Sequence, residues 1–375
     1  MNISQVLSHT VLAAILSIPA RAQVRIPGPG GPTTTGGSST CTPVGGYAHC
    51  RVLTIDHTQV GGATLSNFGT LVTATLGASR IQNANCYDVV FTSDSGGITK
   101  IPWEQETCVQ STGAIIDWVG LSSISSSANT LFYVSYDNAS ITTAQNAGGL
   151  APSDVWDSNY QFVLHLPNGA TLSTSDSTSN ATSWTNTGSV SATAGQIDGA
   201  ASFSGSNYLT GPHVTSLDGA AQFTLSFWAN YSTLTYNEVA MDQYSGSGFY
   251  WENSTGPIFN VGFNGGYNVA AGLPTAGSMH LYTLAYDGTQ SNASRLLLYY
   301  DGAVQTWYTV NTIPTTVPST GGASFTIAGI DSTRFAGAMD EVRLSTGIAR
   351  SAGWTTAEYN NQKSGSTFVA VGVEI

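Results

Sequence analysis

The side chains with the clearest chemical potential are few and widely spaced. Glu104 and Glu106 flank Gln105 directly after Trp103, in the run WEQE. Residues i and i+2 of a strand project to one face, so this spacing places a carboxylate pair beside an aromatic ring. Two carboxylates about 5–5.5 Å apart can retain, and about 6.5–9.5 Å apart can invert, the configuration of a sugar they hydrolyse. The same Glu-x-Glu pattern also dresses an ordinary solvated strand. That plainer use is the expectation, and no catalytic residue is assigned. A second chemistry is sugar recognition, which uses aromatic rings as platforms and Asn, Asp and Gly for hydroxyls. The run YSGSGFYWENSTGPIFNVGFNGGY gathers Phe249, Tyr250, Trp251, Asn253, Asn264 and Tyr267 among glycines. These six are the candidate ligand-binding residues, with Trp184, Tyr236 and Trp307 as contributors from other segments. About half of these aromatics should be core, because aromatic side chains dominate sandwich interiors.

Other catalytic signatures are missing from the sequence: there is no G-x-S-x-G, no H-E-x-x-H and no G-x-x-x-x-G-K-[ST]. The six histidines (9, 49, 57, 165, 213 and 280) are scattered. His165 and His280 lie in strand patterns, where packed and hydrogen-bonded rings are expected. Four cysteines allow three disulfide connectivities. Pairing Cys41 with Cys50 and Cys86 with Cys108 is favoured because each bond closes a short loop. A zinc site of all four thiolates is the alternative, but no C-x2-C spacing supports it.

The elements that would carry these residues are strands. RVLTIDHTQV and TLVTATL alternate apolar and polar positions, the period of half-buried strands. CYDVVFTSDSGGITKIPWEQE has the form of a hairpin turning at 93–97, and AIIDWVGL and TLFYVSYDN add two strands. FTLSFWANY sets Phe223, Leu225 and Phe227 on one face and Thr224, Ser226 and Trp228 on the other. RLLLYYDGAVQTWYTV is a second hairpin, with Asp301-Gly302 suited to a type I′ turn. SAGWTTAEYNN, from Ser351, is the one helical pattern, with Ser351 as N-cap and Trp354 and Ala357 on a common face.

Composition agrees with an all-β chain and excludes other classes. Of 375 residues, 41% are hydrophobic but only 9% charged, with 42 glycines and about a quarter Ser plus Thr. A net charge of −12 argues against nucleic-acid binding, which needs cations against phosphate. Residues 1–22 resemble a secretory signal: an eight-residue apolar stretch, too short to span a bilayer, precedes Ala20-Arg21-Ala22. Its removal would leave −13. Export suits the disulfides. Residues 23–46, rich in Pro, Gly and Thr, form a flexible linker. Residues 47–153 and 154–375 are two β domains, a division that length alone also suggests.

A resemblance covers most of the chain beyond residue 46. The first block, through RVLTIDHTQV, LSNFGTLVTATL, YDVVFTSDSGGITKIPWEQE and TGAIIDWVGLSSISSSANTLFYVSYDNAS, resembles an uncharacterised family catalogued as domain of unknown function 2341. The second, through DSTSN, AGQIDGAASFSGSNYL, FTLSFWAN, LLLYYDGAV, FAGAMDEVRLSTGIARSAGW and AEYNNQ, resembles a laminin-G-like, concanavalin-A-like jelly roll. The implied fold is a β-sandwich-like domain followed by a jelly-roll sandwich. In the resembling jelly rolls an Asp-Ser-x-Gly-Asn loop and an Asp-Glu pair near the last strands jointly hold Ca²⁺. The matching residues are Asp176, Asn180, Asp340 and Glu341, so a structural calcium ion is the cofactor implied. Calcium wants six to eight oxygens. Ser179 stands in place of that Gly, and FSGSNY lacks the carboxylates of the related loop. The plainer use is that Asp176 and Asn180 cap a turn and that Asp340 pairs with Arg343.

The resulting expectation is a secreted, non-enzymatic binding or adhesion protein whose jelly roll takes a glycan or other cell-surface macromolecule, without nucleic acid or a membrane span. The alternative is a structural component of an extracellular layer or filament. A polysaccharide-active enzyme using Glu104 and Glu106 is the third.

Overall fold

A computed structural model describes residues 40–232, 238–253, 258–263, 266–271, 275–329 and 334–375. The signal segment 1–22 and linker residues 23–39 lie outside the described residues, as do Tyr236 and Asn264. The chain is nearly all β. In the first block β1 (His49–Ile55), β2 (Leu65–Thr75), β3 (Val89–Thr92), β4 (Trp103–Val109), β5 (Ala114–Ile124) and β6 (Thr130–Tyr136) follow one another. The second block begins with β7 (Tyr160–Leu164), β8 (Thr185–Thr187), β9 (Ser191–Ile197), β10 (Gly199–Ser204), β11 (Tyr208–Thr210) and β12 (Gln222–Tyr231). It continues through β13 (Glu238–Tyr244), β14 (Gly248–Asn253), β15 (Ile258–Phe263), β16 (Gly266–Ala271), β17 (His280–Asp287) and β18 (Leu296–Tyr300). Then come β19 (Ala303–Val304), β20 (Tyr308–Val310), β21 (Thr326–Ile327), β22 (Ala336–Thr346), helix α1 (Ala352–Gln362) and β23 (Val369–Val371).

In the second block two large sheets enclose one core. One runs β19-β18-β17-β12-β22-β10-β9, with β7 also on β22; the other runs β20-β16-β15-β14-β13-β21-β11-β8. Phe223, Leu225 and Phe227 of β12 point into this core, where Phe227 meets Trp251 edge-on at 5.1 Å. The opposite face of β12 is also covered. Thr224 bonds the backbone of Ile348 and Arg350, Ser226 donates to Glu358, and Trp228 donates to Gln362. That cover is α1 and the turn before it, so the strand is buried on both sides.

The first block holds its own core between the sheets β23-β1-β6-β3 and β2-β5-β4. Its first sheet is completed by the far end of the chain, since β23 pairs antiparallel with β1. Helix α1 also reaches it: Trp354 and Ala357 enter the first block's core, and Trp354 meets Phe68 at 5.0 Å. Asn361 bonds both the N–H and the C=O of Leu71 in β2. Residues 39–375 thus form one compact unit.

The 89–109 segment departs from a simple hairpin. The turn forms as expected, with Asp94 accepting from the backbone N–H groups of Gly96, Ile98 and Thr99. The pairing stops after Thr92↔Lys100, however, and β4 joins β5 in the other sheet. Pro102 explains the switch, because proline supplies no N–H to continue a ladder. The Asp301-Gly302 turn forms as read, with φ of 51° and 75° and Tyr300 opposite Ala303, but the hairpin is shorter than expected: only Ala303–Val304 returns along β18, and Tyr308–Val310 joins β16 in the other sheet. Among the described residues no helix is long and apolar enough to cross a membrane.

Candidate functional site

Glu104 and Glu106 do share a face of β4, and a register irregularity between Gln105 and Thr107 accompanies them. That face meets the jelly roll instead of solvent. Glu104 Oε2 accepts from Trp156 Nε1 at 2.8 Å and lies 3.4 Å from His165 Nε2, while Oε1 accepts from Ser177 Oγ at 2.5 Å. Glu106 Oε2 accepts from Trp118 Nε1 at 2.7 Å, and its side chain is only 2% exposed.

His165 follows directly on the end of β7, and Glu341 and Arg343 arrive on β22. Met339, Val342 and Leu344 occupy the jelly-roll core, so three positions separate the first two where a regular strand has two. The extra residue is a β-bulge at Glu341, which adopts φ 53° opposite the register shift in β12. Bulges re-aim side chains. This one turns both Asp340 and Glu341 away from the sandwich core. His165 Nδ1 lies 2.8 Å from Glu341 Oε1 and 3.9 Å from Glu106 Oε2. Arg343 pairs with Glu341 and, at 3.2 Å, with Glu358 of α1. Its guanidinium sits over Trp118 and Trp156, with Cζ 4.3 and 4.8 Å from the ring centroids. Arg350 pairs with Asp157 at 2.7 Å and lies over Trp354.

Burial opposes charge on His165, but Glu341, Glu104 and Glu106 outweigh it and hold the ring well above the ordinary histidine range, as a cation. Glu104 is also raised by burial, yet His165 and its hydrogen-bond donors bring it below the usual carboxylate range. Burial and then Glu341 push Glu106 up to about 8. Asp340 is pushed well up by burial and by Glu341, although its Oδ2 accepts the N–H groups of Gln196 and Ile197. The arrangement can hold protons and charge in a dry seam between the two blocks. It presents no open cleft between Glu104 and Glu106.

The remaining residues singled out in the sequence are dispersed. Asp176 accepts five hydrogen bonds: the N–H groups of Val163, Thr178 and Thr182 and the hydroxyls of Thr178 and Thr182. Asn180 donates to the carbonyls of Tyr160 and Gln161. Both act as loop caps. Asp176 spends both oxygens on these loop donors, and among the described residues its carboxylate does not gather with those of Asp340 and Glu341, so Asp176, Asn180, Asp340 and Glu341 as folded do not fit a calcium ion. Asp340 does not pair with Arg343; the bulge hands that partner to Glu341.

The aromatic platform is corrected in part. Phe249 and Trp251 are core side chains, 1% and 0% exposed, because alternate residues of β14 face the sandwich interior. Tyr250, on the opposite face, is half-buried and meets Tyr244 edge-on. Asn253 ends β14 and Tyr267 lies in β16, while Asn264 falls outside the described residues. Trp184 has a different setting. It is partly exposed, rests on Phe162 and Phe325, and borders an open groove of about 600 Å³. Ser173, Thr174, Ser175, Asp176, Thr182 and Ser183 line it with Ala181.

His280 is hydrogen-bonded to Asp301 and stacked on Tyr300, as a strand histidine should be. The cysteines pair as expected, Cys41 with Cys50 and Cys86 with Cys108. Sequence reasoning missed Arg343, Trp118 and Trp156 as parts of one site. Their only signal was polar or large aromatic residues on what would otherwise be outward strand faces.

Residues 203–353 match a family model described as the concanavalin A-like lectin/glucanases superfamily. No curated protein matches the sequence. Similar solved structures include domain 4 of AbnA, a GH43 extracellular arabinanase from Geobacillus stearothermophilus, in complex with arabinotriose. The identity is 17% over 53% of this chain and 97% of that one, with a TM-score of 0.39. The binding domain of Paraclostridial Mosquitocidal Protein 1 is 12% identical over 54% of this chain and 52% of its own, with a TM-score of 0.40. A botulinum neurotoxin type C structure, from work tying cell entry to two ganglioside molecules, is 10% identical over 55% and 51%, with a TM-score of 0.41. The chain therefore spans about half the length of these two toxin structures.

Proposed function

We propose that this is an exported, non-enzymatic binding protein whose jelly roll takes a neutral, hydroxyl-rich glycan in the groove beside Trp184. The observation that carries this reading is the groove itself, an indole bordered by six hydroxyl- or carboxylate-bearing side chains on the jelly roll. Aromatic rings cover the C–H faces of sugars, and short polar side chains exchange hydrogen bonds with hydroxyls. The superfamily match at 203–353 supports a lectin-type role. Two disulfides and the signal-like segment 1–22 support export. The first block then serves as a partner module of the domain-of-unknown-function 2341 type. The burial of Glu104 and Glu106 supports a role without catalysis.

A glycan array on the purified mature chain, with calcium and with chelator, tests this. Saturable binding to one glycan class, equal in both conditions and lost in Ser183→Trp, is expected, since that exposed rim residue would fill the groove. No binding in either condition, or full binding by Ser183→Trp, would refute it. An assembly role has one observation of its own. Val304 and Tyr308, on the sheet-edge strands β19 and β20, are 59% and 61% exposed. Concentration-dependent filaments without glycan affinity would select that reading instead.

A further inference from the structure

The seam carries more carboxylate than its cations can match. Glu104, Glu106, Glu341 and Glu358 face His165, Arg343 and Arg350, Asp340 lies beside Glu341 and Glu106 with no cation of its own, and Arg350 also holds Asp157. Buried carboxylates are costly unless paired. Two oxygens here, Glu106 Oε1 and Asp340 Oδ1, are buried without a hydrogen-bond partner. Glu106, His165 and Glu341 each offer one ligand atom, and all three atoms lie within 4.8 Å of one another. These side chains are 2%, 7% and 1% exposed, and they come from β4, the residue just after β7, and β22.

We propose that Glu106, His165 and Glu341 form a binding site for a divalent transition-metal ion of zinc's class, which ties the first block to the jelly roll. Imidazole nitrogen suits zinc and its neighbours, whereas calcium prefers an all-oxygen shell. Zinc accepts nitrogen and carboxylate oxygen at about 2.0–2.2 Å, which spaces tetrahedral ligand atoms about 3.4 Å apart. His165 Nδ1 lies 2.8 Å from Glu341 Oε1 and 3.9 Å from Glu106 Oε2, on either side of that spacing. The surroundings are also those of a metal-bound histidine. Glu104 Oε2 lies beside Nε2, so it can hold that N–H and leave Nδ1 to the ion, while Arg343 anchors the other oxygen of Glu341.

The test uses the full mature chain, stripped with chelator in mild denaturant and refolded with or without zinc, because the trio is closed to solvent. One equivalent of zinc should survive dialysis, the thermal midpoint should rise, and cobalt in its place should show tetrahedral visible absorption. Glu106→Gln and His165→Gln should each lose the retained metal, with near-UV circular dichroism confirming their fold. No retained zinc in the parent would overturn the proposal, as would folded variants that keep a full equivalent. Zinc that raises the midpoint equally in the parent and in His165→Gln would also overturn it, by placing the ion elsewhere.

Discussion

Arg343 is the residue on which the seam depends most. It is 3% exposed, holds Glu341 and Glu358, and lies over two indoles. Removing one partner of a buried ion pair costs about 3–5 kcal/mol, because the charge left behind remains dry. Arg343→Ala should therefore lose about that much in urea denaturation, and Glu358→Gln should recover part of the loss. Asp117 makes a separate test. It is buried in β5, its Oδ2 lacks a partner, and burial followed by the charge of Glu106 pushes it well above the carboxylate range. A raised acid binds its proton in the folded state after the unfolded chain has lost it. Stability is therefore greatest below about pH 4 for this group and falls as pH rises toward the folded value, by up to about 1.4 kcal/mol per pH unit. Asp117→Asn should remove that slope, so its advantage over the parent should grow from pH 5 to pH 8. An unchanged slope would mean that Asp117 is ionised throughout.

At the scale of elements, α1 joins the two blocks. Ser351 caps it by accepting from Trp354 N–H, and Ser351→Ala should cost about 1 kcal/mol, read by thermal or urea unfolding. Gly302 marks how closely the helix is seated. A Cβ there would approach Tyr359 Cβ to 2.9 Å while the backbone sits at φ 75°. Helix α1 was fully legible in the sequence, because its cap and its Trp354–Ala357 face are local signals. Strand β12, the turn between β18 and β19 and both disulfides were legible for the same reason. The bulge at Glu341 was legible only as a break: AMDEVRLS places two polar residues, Asp340 and Glu341, between Met339 and Val342 before alternation resumes, while the register it creates shows only through partners more than a hundred positions away. Phe249 and Trp251 were misassigned because glycine-flanked aromatics look alike whether they face a ligand or a core. The run through WEQE reads as one hairpin because its turn is a local signal; Pro102, which ends the 89–100 ladder, does not say which sheet β4 joins.

For the whole molecule, the central claim is that the acid–histidine–arginine seam, α1 and β23 make one cooperative body of two blocks that look separable in sequence. Glu374 illustrates the long reach of the chain's last residues. It pairs with Arg80 at 2.6 Å and accepts from Tyr136 at 3.0 Å, beside the pairing of β23 with β1. Cutting between the blocks would expose Trp118, Trp156 and the buried charges together, which favours a shared transition over independent ones. Hydrogen exchange across a denaturant series, resolved by mass spectrometry, tests this most directly. The slowest amides of β1 and β6 and those of β12 and β17 should converge on one opening free energy with one denaturant dependence. If β1 and β6 instead open at lower denaturant, with their own smaller slope and while β12 and β17 stay protected, the two blocks are independent and the claim fails.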